Sequence, residues 1–374
     1  MGRSVVRFAK CGYGRTGKHG EMLMKLFFSK AQLAHDPQQF MMAGRLVAPF
    51  EVPERALRMA EGLREIGLVP EEPDDFGVAA IEQVHVDHYV EFLRDAYGQF
   101  QQLEGAGPEV LPNVHPYVSA RPDLACRERP RAQGIIARTG WYAGDMAAAI
   151  GAGTWSAVYA SAQAAIAAAE AVVGGADEAM ALCRPPGHHA YQDRSSGFCF
   201  LNNAAIAAEV MRKRFRRVAI LDFDTHHGDG TQAIFYRRSD VFYGSTHTDP
   251  RQNYPFFAGY ADETGFGEGD KCNLNVPMPP GADDEAFINA NQTLIVAALA
   301  AEAEAIVISA GWDAHADDPL SKLAVTSDAF RRLGRLYGEI PLPTVIVQEG
   351  GYSLTAIESV APRFVTEFLD ERKP

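Results

Sequence analysis

The chain has 374 residues, 47% of them hydrophobic and 22% charged, a globular composition that can bury a large core and excludes a disordered or fibrous protein. Its formal net charge of -13 argues against a nucleic-acid or anionic-membrane binder, because a phosphate backbone selects clustered Lys and Arg; a cationic small molecule is the better match. Five scattered cysteines, Cys11, Cys126, Cys183, Cys199 and Cys272, show neither CxxC nor finger spacing, so no disulfide framework or structural zinc knuckle is expected and a reducing cytoplasm is the expected location.

Residues 1–23 carry five Lys or Arg against one Glu and have no apolar core of a signal peptide. They read as an extension or disordered arm, and residues 24–374 as a single domain opening on the strand "MKLFFSK". Helical spacing follows from Pro53 to Gly67, closed by the glycine, and again from His85 to Phe100. A long loop rich in Pro, Gly and Arg occupies about 103–139, and a loop of that length inside a compact domain is usually functional. The Ala-rich run from Trp155 to Gly175 predicts a buried helix, since alanine is weakly hydrophobic and Glu170 interrupts it; no membrane span is expected. Beyond it, "EAMALC", "RVAILDFD", "DVFYGST", "EAIVISAG" and "PTVIVQEG" are β-branched runs separated by helical stretches. Near-continuous apolar strands of this kind predict an α/β fold, a parallel sheet covered by helices on both faces.

Ligands of such sheets sit at the carboxyl ends of the strands, and the titratable clusters of this chain fall there. "RVAILDFDTH" delivers Asp222, Asp224 and His226, which the pleat of an extended chain would aim to one side. "EAIVISAGWD" delivers Asp313. Acids gathered on one face repel unless a cation sits among them, so Asp224, His226 and Asp313 form a candidate metal set that leaves a coordination position for water. A lone D-x-H pair would carry little weight; a second carboxylate at another strand end carries more. Borderline N and O ligands of this kind accept Zn2+, Fe2+ or Co2+. His188 and His189, after a rigid Pro-Pro-Gly turn, are candidates for proton transfer, and Asp222 and Asp229 are acids available to orient them. Tyr352, after a Gly-Gly pair, can donate to a developing oxyanion.

"RPPGHHA", "GFCFLNNAAIAA", "LDFDTHHGDGTQ" and "EGGY", in this order, resemble the zinc-dependent deacetylases of the histone deacetylase superfamily over about 46–368. "LVAPFEVPERA", "GAGTWSAVYAS" and "GTQAIFY" look most like its bacterial acetylpolyamine amidohydrolases. The resemblance implies an arginase/deacetylase-like fold with a central eight-stranded parallel sheet. It implies zinc on Asp224, His226 and Asp313, catalysis by His188 and His189 backed by Asp222 and Asp229, and Tyr352 as the oxyanion donor. It further implies a structural K+ held by oxygens of Asp222, Asp224, His226, Ser245 and Thr246, a homodimer, and an apolar slot walled by Phe198 with Tyr254 or Phe257. The expected activity is removal of an acetyl group from a small acetylated amine, an acetylpolyamine first, with acyl-lysine in peptides or another linear amide as the alternative. An intact residue set argues against ligand binding without turnover. One departure stands out: Ile136 and Ala147 occupy positions where the polyamine enzymes carry glutamates, while Arg127, Arg129 and Arg131 make the loop basic and leave Asp145 or Glu128 as substitutes.

Overall fold

A computed structural model describes residues 24–116 and 127–373; the proposed extension 1–23 and part of the long loop lie outside the described residues. The strands are β1 (Lys25–Phe27), β2 (Phe40–Met42), β3 (Arg45–Val47), β4 (Pro70–Glu71), β5 (Glu178–Ala181), β6 (Val218–Asp222), β7 (Val241–Thr248), β8 (Asn273–Met278), β9 (Ala305–Ala310) and β10 (Thr344–Gln348). The helices are α1 (Glu54–Glu65), α2 (Asp87–Phe100), α3 (Ile135–Tyr142), α4 (Thr154–Val173), α5 (Asn203–Met211), α6 (Asp229–Phe235), α7 (Asp284–Ala300), α8 (Ser327–Gly338) and α9 (Leu354–Arg372). Eight strands form one sheet in the order β4-β1-β5-β10-β9-β6-β7-β8, and every pairing in it is parallel. β2 and β3 form a separate antiparallel hairpin.

Alternation along the central strands divides the hydrophobic residues between two cores, because successive side chains of a strand point to opposite faces. Val218, Ile220, Val307, Val345 and Val347 join α2, α4 and α5 on one face. Ala219, Leu221, Ile306, Ile308 and Ile346 join α1, α7, α8 and α9 on the other. α1 shows how local pattern meets packing: Ala56, Met59, Ala60 and Leu63 follow helical spacing and are all buried. α4 is the one helix among the described residues that is long and apolar enough to cross a membrane, and 72% of that apolar window is buried inside the chain. A helix apolar all round belongs in the interior of a large fold.

Several elements, the β2–β3 hairpin among them, differ from the sequence expectation. The long loop ends at Gly134, where α3 begins; the glycines at 134 and 140 mask its helical period. β8 and the two-residue β4 were not expected, because "NLNVPM" alternates polar and apolar residues as a sheet-edge strand does rather than running apolar. The strand "RVAILDFD" stops at Asp222, so Asp224 and His226 lie beyond the pleat.

Candidate active site

Register brings the strand ends into one row: Asp222 of β6 stands opposite Ser309 of β9 and Ser245 of β7. Past β6 the chain makes two consecutive side-chain turns. Asp222 Oδ1 accepts the Asp224 N–H (3.1 Å), and Asp224 Oδ1 accepts the His226 N–H (2.9 Å). Such turns substitute for ladder bonds where a strand has ended. They, and not the pleat, turn Asp224 and His226 toward Asp313, a correction to the extended-chain argument.

Asp224, His226 and Asp313 are buried, and one donor atom from each lies within 4.8 Å of the others. His226 Nδ1 is 3.1 Å from both Asp224 Oδ1 and Asp313 Oδ2. No side chain can enter from the facing turn: a Cβ on Gly350 would fall 2.2 Å from Asp313 Oδ2 and 2.4 Å from Asp224 Oδ2. Burial pushes the Asp313 carboxyl up to about 7, and the neighbouring Asp224 charge adds to the rise. Two buried carboxylates and an imidazole gathered within 4.8 Å, with only a glycine facing them, are the donor set a divalent cation needs, so these residues fit a metal.

His188 and His189 lie beside this set, their ring centroids 4.1 Å apart and their planes tilted by 47°. His188 Nδ1 is 3.0 Å from Asp222 Oδ2, and the Tyr243 hydroxyl donates to that same oxygen (3.1 Å). Burial by itself would lower the His188 pKa; Asp224 and Asp222 outweigh it and hold the imidazole well above its ordinary range. His189 Nδ1 is 2.7 Å from Asp229 Oδ1, and Tyr191 donates its hydroxyl to Asp229 Oδ2 (2.8 Å). Burial, reinforced by the positive charge of His188 and His226, pushes His189 well below its ordinary range. Burial pushes Asp229 up to about 7, and the Tyr191 hydroxyl opposes the rise.

Tyr352 follows the Gly350-Gly351 turn after β10. Its N–H donates to Asp318 Oδ2 (2.6 Å), and the Arg55 guanidinium lies 4.4 Å from its ring centre. Burial raises its phenol well above the ordinary range, so it stays a donor at neutral pH, while Arg55 acts in the opposite direction. Phe198 faces Tyr352 at 5.5 Å and Phe40 of the hairpin at 5.1 Å. Tyr254 stands edge-on to His189 at 4.9 Å and donates its hydroxyl to Asp145 Oδ2 (2.8 Å). Gly197, at φ 52°, has no room for a Cβ between the His189 ring and Tyr254, and Phe198 itself sits at φ 67°. Left-handed backbone at a bulky residue is costly and persists where the surroundings enforce it.

Of the two aromatic partners expected for Phe198, the structure places Tyr254 at the site. Phe257 is 93% exposed and does not wall the slot, because the chain turns outward after Pro255. Ser245 and Thr246 are buried; Ser245 Oγ is 2.8 Å from His247 Nδ1, and Asn291 Nδ2 donates to Thr246 Oγ1 (3.4 Å). Arg129 pairs with Asp87 at 3.2 Å, and Ile136 is exposed. Four contributors escaped the sequence: Tyr191, Tyr243, Asp318 and Glu349. Glu349 carried a usable signal, a carboxylate at the end of a buried strand, the same signal that marked Asp222.

The model of the histone deacetylase domain matches residues 49–368. The chain is a member of the histone deacetylase family. Within that family it is 44% identical to an acetylpolyamine amidohydrolase of Burkholderia pseudomallei over 92% of this chain and 98% of that protein. It is 40% identical to acetylpolyamine amidohydrolase 1 of Pseudomonas aeruginosa, over 88% of this chain and 94% of that protein. The crystal structure of the Burkholderia pseudomallei acetylpolyamine aminohydrolase superposes with a TM-score of 0.87 at 43% identity, covering 92% and 98% of the two chains. The HD domain of HDA15 superposes with a TM-score of 0.74 at 26% identity, covering 92% and 91%. The α/β arginase/deacetylase fold expected from the sequence is the fold of this deacetylase-family chain.

Proposed function

We propose that this chain hydrolyses the acetyl amide of a small acetylated amine, an acetylpolyamine or a close analogue, with a zinc ion on Asp224, His226 and Asp313. The observation that carries the reading is the convergence of that donor set with two His–Asp dyads, a buried phenol and the aromatic rings of Phe198 and Tyr254. The names of its relatives supply the substrate class. Fe2+ or Co2+ would suit the same donors. The bound cation would act as a Lewis acid on the substrate carbonyl and on the attacking water.

The residues of the chain do the rest. Phe198, Tyr254 and Phe40 hold the methylene chain of the substrate and exclude bulk water. Asp229, itself held by Tyr191, fixes the tautomer of His189, which accepts the proton of the attacking water. Tyr352 donates its hydroxyl to the oxygen that gains charge in the transition state, a donor already in place and costing no reorganisation. The His188 and His189 pair returns a proton to the leaving nitrogen as the C–N bond breaks, giving acetate and the free amine. Asp145, at the slot wall, is the carboxylate placed to favour a cationic substrate. A structural K+ near Asp222, Ser245 and Thr246, a homodimer and a cytoplasmic location belong to the same reading, as does one catalytic domain over 24–374, whose two cores share one sheet.

The test is amine release by the zinc-loaded protein from N-acetylputrescine, N-acetylcadaverine, N8-acetylspermidine and an acetyl-lysine peptide. The small acetylated amines are expected to exceed the peptide by about tenfold or more in kcat/KM, equivalent to about 1.4 kcal/mol of transition-state discrimination. A peptide that wins overturns the polyamine reading and leaves the amidohydrolase chemistry.

A further inference from the structure

Glu349 is fully buried at the exit of β10, one residue before the Gly350-Gly351-Tyr352 turn, and the proposed hydrolysis gives it no task. Its Oε2 accepts two consecutive main-chain N–H groups, from Gly187 (2.6 Å) and His188 (3.1 Å). Its Oε1 accepts the Ser309 hydroxyl of β9 (2.9 Å). Burial pushes its carboxyl up to about 7. An acid in such a place costs stability unless its hydrogen bonds offset the desolvation.

The main chain of Glu349 is anchored as well. Its N–H donates to Ala310 O (2.8 Å), and Arg55 Nη2 donates to its carbonyl (2.8 Å). The next residue, Gly350, donates its N–H to Asp224 Oδ2 (2.9 Å), and Tyr352 is fixed by Asp318. The stretch 349–352 therefore ties together the peptide of His188, the candidate ligand Asp224 and the main chain that carries Tyr352. The His188 ring meets Asp222 at 3.0 Å, and its main chain is held on one side by Glu349 at the N–H and on the other by Thr231, whose N–H (3.0 Å) and hydroxyl (3.3 Å) donate to the His188 carbonyl.

We propose that Glu349 is a positioning residue that sets His188 against Asp222 and Tyr352 by the reach of its side chain, through the Gly187 and His188 amides. The proposal rests on the amide-hydrolysis reading. A misplacement of about 1 Å at a reacting group costs on the order of a hundredfold in rate, and that is the effect a lost anchor would have.

Three variants separate reach from charge. Glu349→Gln keeps the reach and loses the charge; its carbonyl oxygen can accept both amides while its NH2 donates to Ser309. Glu349→Asp keeps the charge and is one methylene short. Glu349→Ala keeps neither. With zinc-loaded protein and N-acetylputrescine, kcat is expected to fall about 100-fold in E349A and about tenfold in E349D, but less than about fivefold in E349Q, with KM within about twofold throughout. Hydrogen exchange at the Gly187 and His188 amides supplies a readout that needs no turnover: protection is expected to drop in E349A and E349D and to persist in E349Q. The proposal is overturned if E349D is as active as E349Q or more so, which would assign the role to charge. It is also overturned if kcat per metal-loaded chain is unchanged in all three, which would assign it to stability alone. Should E349A fail to fold, the contrast between E349Q and E349D decides. If the wild-type protein turns over no acetylated amine, the functional reading fails, and the exchange pattern still settles whether Glu349 anchors the His188 loop.

Discussion

His188 and His189 are consecutive, meet at 4.1 Å and each have a carboxylate at Nδ1, yet their surroundings pull them apart. The partner of His188, Asp222, is held at both oxygens: one meets the imidazole and Tyr243, the other takes the Asp224 N–H. His188 Nε2 lies 3.9 Å from Asp224 Oδ2, so this dyad abuts the cluster of Asp224, His226 and Asp313. The partner of His189 holds a second donor in Tyr191, and the ring itself is presented edge-on to Tyr254 at the slot. Two identical side chains are thereby tuned apart, one held above and the other below the ordinary imidazole range, a difference the proposed hydrolysis would use. Environment, more than residue type, assigns acid and base roles at a shared site.

The largest effect should come from breaking what the two dyads share. Asp313→Ala removes one of three donors and is expected to lower both metal content and kcat, the latter by about 10³-fold or more; stoichiometric metal with retained turnover would take Asp313 out of the site. Next, His189→Ala is expected to reduce kcat by roughly 10²–10⁴-fold with metal content near one per chain, and His188→Ala to do less harm. Equal losses would mean that the two dyads are not differentiated. Tyr352→Phe, which leaves both dyads intact, should cost about 10²-fold in kcat with KM within about twofold, since the hydroxyl acts on the oxyanion. Tyr191→Phe touches the His189 dyad alone. Loss of one hydrogen bond worth about 1 kcal/mol predicts a fall of about fivefold in kcat, and no fall would detach Tyr191 from the mechanism.

Imidazoles whose burial outweighs any carboxylate nearby behave differently and supply the mildest test; His35 has Glu51 only at 3.6 Å, a carboxylate already paired with Arg55 and Arg184. Burial pushes His35 and His85 down to about 4, so both are neutral in the native protein near neutral pH. The unfolded chain protonates them below about 6.5 while the folded chain does not, so their contribution to stability is lost as pH falls through that value. Each should cost on the order of 1 kcal/mol by about pH 5.5, read as a falling Tm between about pH 6.5 and 5.5 and little change above about pH 7. A flat Tm across that window would mean that these two rings are solvated.

Much of this was legible before folding because chemistry and pattern coincide at strand ends. Asp222, Asp224, His226 and Asp313 stood out as acids and an imidazole directly after buried apolar runs, where a parallel sheet opens its ligand edge. The helices around Pro53 and His85 announced themselves by periodicity, and α4 by an alanine content that suits burial from every side. Less visible were features made by three-dimensional proximity. Tyr191 becomes part of the His189 dyad only because α6 places Asp229 beside it, and a hydroxyl in a loop has no sequence signature. Tyr254 and Phe257 could not be told apart by type or distance along the chain; the turn after Pro255 decides between them.

The sequence by itself determined the central strands of the sheet, its two covered faces and which side chains crowd its carboxyl edge, because near-continuous apolar runs and motif spacing are local properties of the chain. Only the tertiary structure decided which of those groups meet. The Asp222 and Asp224 side-chain turns, the Glu349 anchor on the His188 loop and the unequal fates of two adjacent histidines all depend on the folded surroundings, where burial and hydrogen bonding are set by what the rest of the fold brings to the same place.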